Sequence, residues 1–251
     1  MSLSKRAQKL VQSPSAIVKG MMACAQDPYS DENKNGYLNF GIAENRLIDD
    51  LALRAMNKKI EFGPEHVHYG PLEGSLTLRQ AFSDFASEHL GIDEIKSEMV
   101  AAQSGLSSVC EAMAYAFFDE GDEIITPAPF YSGFSHDFSG RFNVKLAPAY
   151  IQDHHTIDAI RAAYTSKSKA VLLTTPHNPT GEVLSADFLK DVFEFCKEKD
   201  LHLITDEIYA LSIYEGEKHK SALNFDKDYK KVHFLYGMAK DFGMAGLKTG
   251  L

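Results

Sequence analysis

The sequence is poor in cysteine, has no tryptophan and contains no long uninterrupted apolar run. Its three cysteines, Cys24, Cys110 and Cys196, are too few and too scattered for a disulfide framework or a zinc site. No apolar segment reaches the roughly 20 residues that a membrane-spanning helix needs. The net charge of −9 argues against a nucleic acid or an anionic membrane as the main partner.

Two further features bear on location. Residues 1–6 lack the apolar core of a signal peptide. The scattered cysteines fit a reducing compartment, in which each serves as a small buried hydrophobe. We therefore expect a cytoplasmic protein, and its 251 residues are enough to bury a substantial core.

Apolar periodicity predicts an α/β protein. Helical spacing covers residues 15–25, 47–58 and 75–90, and from about residue 100 helices and strands alternate. We expect a helix that opens at the glycine turn 104–108 and runs to 118, and further helices at 156–164 and 185–199. We expect strands at 123–126, 144–147, 170–175, 201–205 and 232–236. Apolar strands alternating with helices indicate a mainly parallel sheet covered by helices on both faces.

Three polar side chains that can bind a ligand or react with one follow predicted strands. Asn178, Asp206 and Lys240 follow the last three strands, and in parallel sheets ligands bind beyond the carboxyl ends of the strands. Lys240 is followed by a glycine-punctuated turn and by a second cation, Lys248. A lysine in such a position is well placed to form a Schiff base. Together these residues predict a site for pyridoxal phosphate.

The other parts that this cofactor needs are also present. The Asp206 carboxylate can keep the pyridine nitrogen protonated, and Tyr209 and Asn178 can donate to the 3′ oxygen. Tyr131 offers an aromatic lid for the ring. The glycine turn at 104–108 opens a helix, so its N–H groups and the Ser107 hydroxyl can form a phosphate cup.

Taken singly, these residues have ordinary structural explanations. The turn at Asn178 commonly precedes a helix, Asp206 can be a solvated strand end, and Tyr131 and Tyr209 can be packing aromatics. His66 and His68 alternate, but with no further ligand at metal spacing we interpret them as loop residues and predict no metal site. The order and strand-end placement of the whole set favour the cofactor site.

Ordered motifs carry a family resemblance. They are Gly-Ile-Ala-Glu-Asn at 41–45, His-Tyr-Gly-Pro-Leu-Glu-Gly at 68–74, Asn-Pro-Thr-Gly at 178–181, Asp-Glu-Ile-Tyr at 206–209 and the segment around Lys240. With these motifs the chain resembles the fold-type I pyridoxal phosphate enzymes, specifically the class I/II aminotransferases. Within them it is most similar to the branch that includes 1-aminocyclopropane-1-carboxylate synthases.

The resemblance implies a role for each residue around the cofactor ring. Lys240 corresponds to the Schiff-base lysine and Asp206 to the partner of the pyridine nitrogen. Tyr209 and Asn178 correspond to the contacts of the 3′ oxygen, and Asn178 also contributes to the substrate side. Tyr131 corresponds to the stacking ring.

The resemblance also implies a phosphate site and an entrance. Leu106 and Ser107 belong to the phosphate loop, with Lys248 where the family has an arginine. Tyr69 corresponds to a tyrosine that reaches the phosphate of the neighbouring subunit, which implies a homodimer with shared sites. Glu44 corresponds to a residue near the substrate entrance.

The chain departs from the family pattern in three places. Gly237 replaces a serine that donates to the phosphate, and Lys248 keeps the charge of arginine but not its bidentate fork. Gly250 and Leu251 follow the Lys240 turn at once, so we expect the small C-terminal domain to be missing. We expect residues 1–45 to form an arm and part of the small domain, and 46–251 to form the pyridoxal phosphate-binding large domain.

Three functions stay open. The first is an aminotransferase that transfers an amino group between an amino acid and a 2-oxo acid. The second is a lyase of the aminocyclopropane-carboxylate synthase type, which shares the same site. The third is a non-catalytic pyridoxal-binding relic, which Gly237 and Lys248 favour.

Overall fold

A computed structural model of the chain describes residues 2–12, 16–58, 61–93, 95–151, 156–225 and 228–251. Its α-helices are α1 (Lys5–Gln12), α2 (Ala16–Gln26), α3 (Asp49–Met56), α4 (Leu76–His89), α5 (Leu106–Phe117), α6 (Asp158–Ala163) and α7 (Ala186–Lys199). Its strands are β1 (Gln103–Ser104), β2 (Glu123–Ala128), β3 (Lys145–Tyr150), β4 (Ser168–Thr174), β5 (His202–Asp206), β6 (Val232–Leu235) and β7 (Thr249–Gly250). A short π-helical segment spans Ser135–Gly140.

Five parallel strands form the centre of the fold in the order β3-β2-β4-β5-β6. The two short strands β1 and β7 pair antiparallel, and Gly250 also bridges to Gly237 just after β6. The β7 strand therefore lies between β1 and the end of β6. This arrangement brings the loop before α5 next to the turn that follows β6.

Successive side chains of each strand point to opposite faces of the sheet, and helices bury both faces. On β4, Val171 and Leu173 pack into one apolar cluster with α6 and α7, whereas Ala170 and Leu172 pack into another with α5. A third cluster joins α4 to the end of β6 around Tyr236. The apolar strands required this covering, and the predicted α/β fold with a mainly parallel sheet is confirmed.

The predicted helix starts rest on local capping. Ser75 accepts a hydrogen bond from the N–H of Leu78 at 3.3 Å, and Ser185 accepts one from the N–H of Phe188 at 3.1 Å. The periodicity did not predict α1, the π-helical segment or the two-residue strands β1 and β7. No helix in the described ranges is both long enough and apolar enough to cross a membrane.

Candidate functional site

The site is built where β4, β5 and β6 end side by side. Asp206, the last residue of β5, pairs in register with Thr174 of β4 and Leu235 of β6. Backbone hydrogen bonds continue past the strands, from the N–H of Thr175 to Asp206 O and from the N–H of Glu207 to Leu235 O, both at 3.0 Å. The turns that carry the other site residues therefore all begin at the same hydrogen-bonded edge of the sheet.

Asp206 is a buried acid held in an apolar setting. Its side chain is 5% exposed, and the N–H of Ile208 donates to its Oδ1 at 3.2 Å. Burial raises the pKa of the Asp206 carboxyl to about 7, and the nearby Lys240 opposes this rise only weakly. The carboxyl is thus available for a cationic partner that the described residues do not provide at hydrogen-bond distance.

Lys240 lies half-buried in the turn after β6. Its Nζ donates to the carbonyl of Ala43 at 2.8 Å and lies 6.0 Å from the centre of the Tyr209 ring. Burial lowers the pKa of the Lys240 amine, and Lys248 lowers it further, whereas Glu44 and Asp206 oppose the change. The amine therefore faces the same space as the buried acid and carries its proton less firmly than a solvated lysine.

Two tyrosines border this space. Burial raises the pKa of Tyr209 to about 12, with Asp206 as the next cause and Tyr131 as a smaller one. Burial also raises the pKa of Tyr131, which packs edge-on against Phe134 with 5.3 Å between ring centres. Both phenols therefore keep their protons at neutral pH and can act as donors.

The predicted phosphate cup lies at the start of α5. Gly105 precedes the helix with φ of +86°. The N–H groups of Leu106 and Ser107, the first of the helix, have no acceptor within it, whereas the N–H of Ser108 donates to Gly105 O at 3.1 Å. A Cβ placed on Gly105 would lie 3.9 Å from Cδ of Lys248, so this lysine runs alongside the loop. The charge of Lys248 also acts on Lys240, so a second cation lies beside the cup and within electrostatic reach of the amine.

One residue of this region, Asp137, was not predicted from the sequence. Asp137 is 5% exposed in the π-helical segment and accepts a hydrogen bond from the side chain of Ser107. Burial raises the pKa of Asp137 to about 6, whereas Ser107 and His136 lower it. Asp137 shares helical spacing with the fully buried Phe134 and Phe138, and an acid on such an apolar face is the signal that could have revealed it.

The other three predicted residues differ in their surroundings. Glu44 forms an ion pair with Arg46 at 3.1 Å and acts on Lys240 through its charge. Asn178 lies half-buried in the turn after β4. Tyr69 projects fully into solvent, with an exposed fraction of 108%. The structure thus groups Lys240, Asp206, Tyr209, Tyr131 and Lys248, and leaves Tyr69 apart from them.

Gly237 is fixed by its surroundings. A Cβ at this position would lie 2.7 Å from the carbonyl oxygen of Thr249, because β7 passes close to the end of β6. A serine here would require the backbone of β7 to move. The departure at Gly237 therefore matches the local packing of this chain.

A cavity of about 400 Å³ lies elsewhere, next to β6. Its walls are mostly apolar and include Val109, Met113 and Phe234, and none of the predicted site residues lines it. We assign this space to the packing of the sheet edge, and the candidate site to the strand ends.

Comparison with known proteins is consistent with this arrangement. The family model of aminotransferase class I and II matches residues 35–251. A probable aminotransferase of Arabidopsis thaliana is 32% identical over 92% of this chain and 52% of its own length. The 1-aminocyclopropane-1-carboxylate synthase 6 of Oryza sativa subsp. japonica is 29% identical over 100% of this chain and 52% of its own length.

Solved structures show the same fold. The alanine aminotransferase of Pyrococcus furiosus superposes with a TM-score of 0.79 at 24% identity, over 99% of this chain and 62% of that protein. At this identity the similarity concerns the fold alone. The chain thus spans about half the length of the two sequence relatives it matches, 52% in each case.

Proposed function

The chain belongs to the aminotransferase class I and II family, and from that premise we propose that it transfers an amino group between an amino acid and a 2-oxo acid. The family and its 1-aminocyclopropane-1-carboxylate synthase relatives are pyridoxal phosphate-dependent enzymes. The proposal concerns a chain that covers about half of such relatives. It is therefore argued from the residues present.

The residues at the strand ends suit pyridoxal phosphate. Asp206 is a buried carboxyl with no cation at hydrogen-bond distance among the described residues, and a protonated pyridine nitrogen is the kind of partner it lacks. The start of α5, with Gly105 and Lys248, offers N–H groups and a cation to a phosphate. Lys240 supplies the amine that an aldehyde requires. A buried carboxyl, a site for an anion and an amine are the three groups that this cofactor needs.

The residues would hold the cofactor as follows. Lys240 would bind its aldehyde carbon, Asp206 its pyridine nitrogen, and Tyr209 with Asn178 its 3′ oxygen. Tyr131 would cover the ring. When bound, pyridoxal phosphate supplies an electron sink for the α-carbon of an amino acid.

The phosphate and the substrate entrance would use the remaining predicted residues. The N–H groups of Leu106 and Ser107 and the amine of Lys248 would bind the phosphate, and the Ser107 hydroxyl would join them by turning its proton away from Asp137. Glu44 lies close enough to influence Lys240 and would face the incoming amino acid together with Asn178. Its carboxylate can attract the amino group of a substrate.

The chain's own contribution is to hold and move protons. Burial lowers the pKa of the Lys240 amine, which brings this amine closer to the range in which a general base and acid exchanges a proton. Tyr209 retains its phenolic proton because its pKa is raised to about 12, so it acts as a donor. The buried carboxyl of Asp206 can carry a proton itself or, when ionised, stabilise a positive charge beside it.

The observation that carries this proposal is the placement of the Lys240 amine, 6.0 Å from the Tyr209 ring and in electrostatic contact with Asp206. The test uses the 251-residue chain loaded with pyridoxal phosphate. We expect single amino acids to convert the bound cofactor to its amine form, and a 2-oxo acid to convert it back, both followed by absorbance. Loaded protein that never makes this conversion with any of the 20 amino acids would contradict aminotransfer.

A lyase is the second candidate, favoured by the relatives that are named synthases. It predicts that S-adenosylmethionine alone yields 1-aminocyclopropane-1-carboxylate with no need for a 2-oxo acid. A binding relic is the third candidate, favoured by Gly237 and Lys248. It predicts a loaded protein that is inert in both assays.

We also propose a cytoplasmic homodimer with shared sites, in which residues 46–251 form the cofactor-binding domain and 1–45 an arm with part of a small domain. Several large apolar side chains are almost fully exposed and suit a protein interface: Tyr69, Leu72, Leu47 and Phe40, at 108%, 99%, 97% and 89%. Tyr69 and Leu72 belong to the motif at 68–74 that resembles the family's subunit contact, and Phe40 and Leu47 flank the motif at 41–45.

A further inference from the structure

Asp241, the neighbour of Lys240, accepts three hydrogen bonds. Its Oδ2 receives the N–H of Leu211 at 3.0 Å and the hydroxyl of Tyr236 at 2.8 Å. Its Oδ1 receives the hydroxyl of Ser212 at 2.5 Å. Both oxygens are therefore occupied, and the carboxylate joins two separate turns of the chain.

These two turns carry the proposed reactive groups. Leu211 and Ser212 continue the turn that begins at Tyr209, and the N–H of Ser212 donates to Tyr209 O at 2.8 Å. In the other turn, Asp241 is the residue that follows Lys240 in the chain, and Tyr236 is a fully buried residue directly after β6. A fixed carboxylate at this point therefore sets how far the Lys240 turn lies from the Tyr209 turn.

Direct contact does not set that distance. The Lys240 amine donates to Ala43 O at 2.8 Å and lies 6.0 Å from the centre of the Tyr209 ring. The relative position of amine and phenol must then come from the backbones that carry them. The three hydrogen bonds of Asp241 form a polar side-chain link between those backbones, beside the apolar packing of Ala210 against Tyr236 and Phe242.

We infer that Asp241 is a positioning residue that holds the Lys240 amine and the Tyr209 hydroxyl at a fixed separation through Leu211, Ser212 and Tyr236. The inference rests on the proposed function, because the separation matters only if both groups bind one cofactor. Asp241 itself need not touch the cofactor. A purely structural role is the alternative, and it predicts a loss of stability alone.

The test compares four proteins loaded with pyridoxal phosphate: wild type, Asp241→Asn, Ser212→Ala and a control, Asn224→Ala. Asparagine keeps the shape of aspartate, but its amide NH₂ cannot accept a hydrogen bond. Ser212→Ala removes one donor and leaves the carboxylate in place. Asn224→Ala removes two hydrogen bonds, with Asp93 N and Gly91 O, away from the site.

The main readout is the pH midpoint of the visible absorbance of the bound cofactor. Donation from Tyr209 to the 3′ oxygen keeps this midpoint low, so its displacement in Asp241→Asn should raise the midpoint by about half a pH unit or more. Ser212→Ala should shift it in the same direction by less. Asn224→Ala should lower the unfolding temperature and leave the midpoint unchanged.

The outcomes separate the claims. If wild type binds no pyridoxal phosphate at Lys240, the proposed function fails and this inference fails with it. If wild type binds and titrates, but Ser212→Ala and any folded Asp241→Asn keep its midpoint, only the positioning role is overturned. A midpoint that moves equally in Asn224→Ala would show general loosening and would also overturn it.

Discussion

Replacing Asp206 by asparagine should make the cofactor-free protein more stable at alkaline pH. Asp206 is 5% exposed, and burial raises the pKa of its carboxyl from 3.8 to about 7. The folded state therefore binds this proton more tightly than the unfolded state does. Stability from this group is fully present below pH about 4 and is lost as the pH rises towards about 7.

The size of the effect follows from the shift. At about 1.4 kcal/mol per pH unit, a rise from 3.8 to about 7 corresponds to on the order of 4 kcal/mol at pH 8. Asp206→Asn removes this cost and still accepts the hydrogen bond from Ile208. The variant should therefore match wild type near pH 4 and exceed its unfolding free energy at pH 8 by a few kcal/mol.

Urea unfolding of both proteins without cofactor, from pH 4 to pH 9, measures this difference directly. Asp137 titrates in both proteins, so its contribution cancels. The matched control is Asp187→Asn, which removes an exposed carboxyl in the first turn of α7 and should not reproduce the gain in stability at pH 8. Parallel stability curves for wild type and Asp206→Asn would refute the assignment of a buried, uncompensated carboxyl. With pyridoxal phosphate bound, the advantage of the variant at pH 8 should disappear.

Three other changes test the rest of the site. Asp137→Asn should bind pyridoxal phosphate about tenfold more tightly than wild type at pH 8 and equally at pH 5, because it removes a charge beside the cup; a constant ratio would contradict this. Lys248→Ala should weaken the binding of pyridoxal phosphate by about tenfold, and Lys248→Arg should strengthen it. Gly237→Ser should lower the unfolding temperature, and a fully stable Gly237→Ser protein that binds the cofactor more tightly would contradict the account of Gly237. Mixed dimers of Tyr69→Ala and Lys240→Ala subunits should regain activity, and verified mixed dimers that stay inactive would argue against shared sites.

The sheet and the strand ends could be predicted because both follow from simple rules. Apolar strands such as β4 must be covered on both faces, and parallel strands end at one edge, so Asp206 and Lys240 had to lie near each other. The caps Ser75 and Ser185 act within one helical turn, which sequence spacing describes directly.

The features that the sequence did not reveal depend on contacts between distant segments. Asp137 becomes part of the cup only because the π-helical segment packs beside α5, and no periodicity predicted that segment. The links of Asp241 join residues about 30 positions apart, at Leu211 and Ser212. The close approach of Gly237 to Thr249 likewise depends on β7, a two-residue strand too short to show a pattern.

The central claim is that Lys240 binds pyridoxal phosphate covalently. The most direct measurement is to load the 251-residue chain with the cofactor, reduce it with borohydride and map the modified peptide by mass spectrometry. We expect one adduct on Lys240, and loss of the visible absorbance band in Lys240→Ala. An adduct on Lys248 or another lysine, or a band that persists in Lys240→Ala, would contradict the claim.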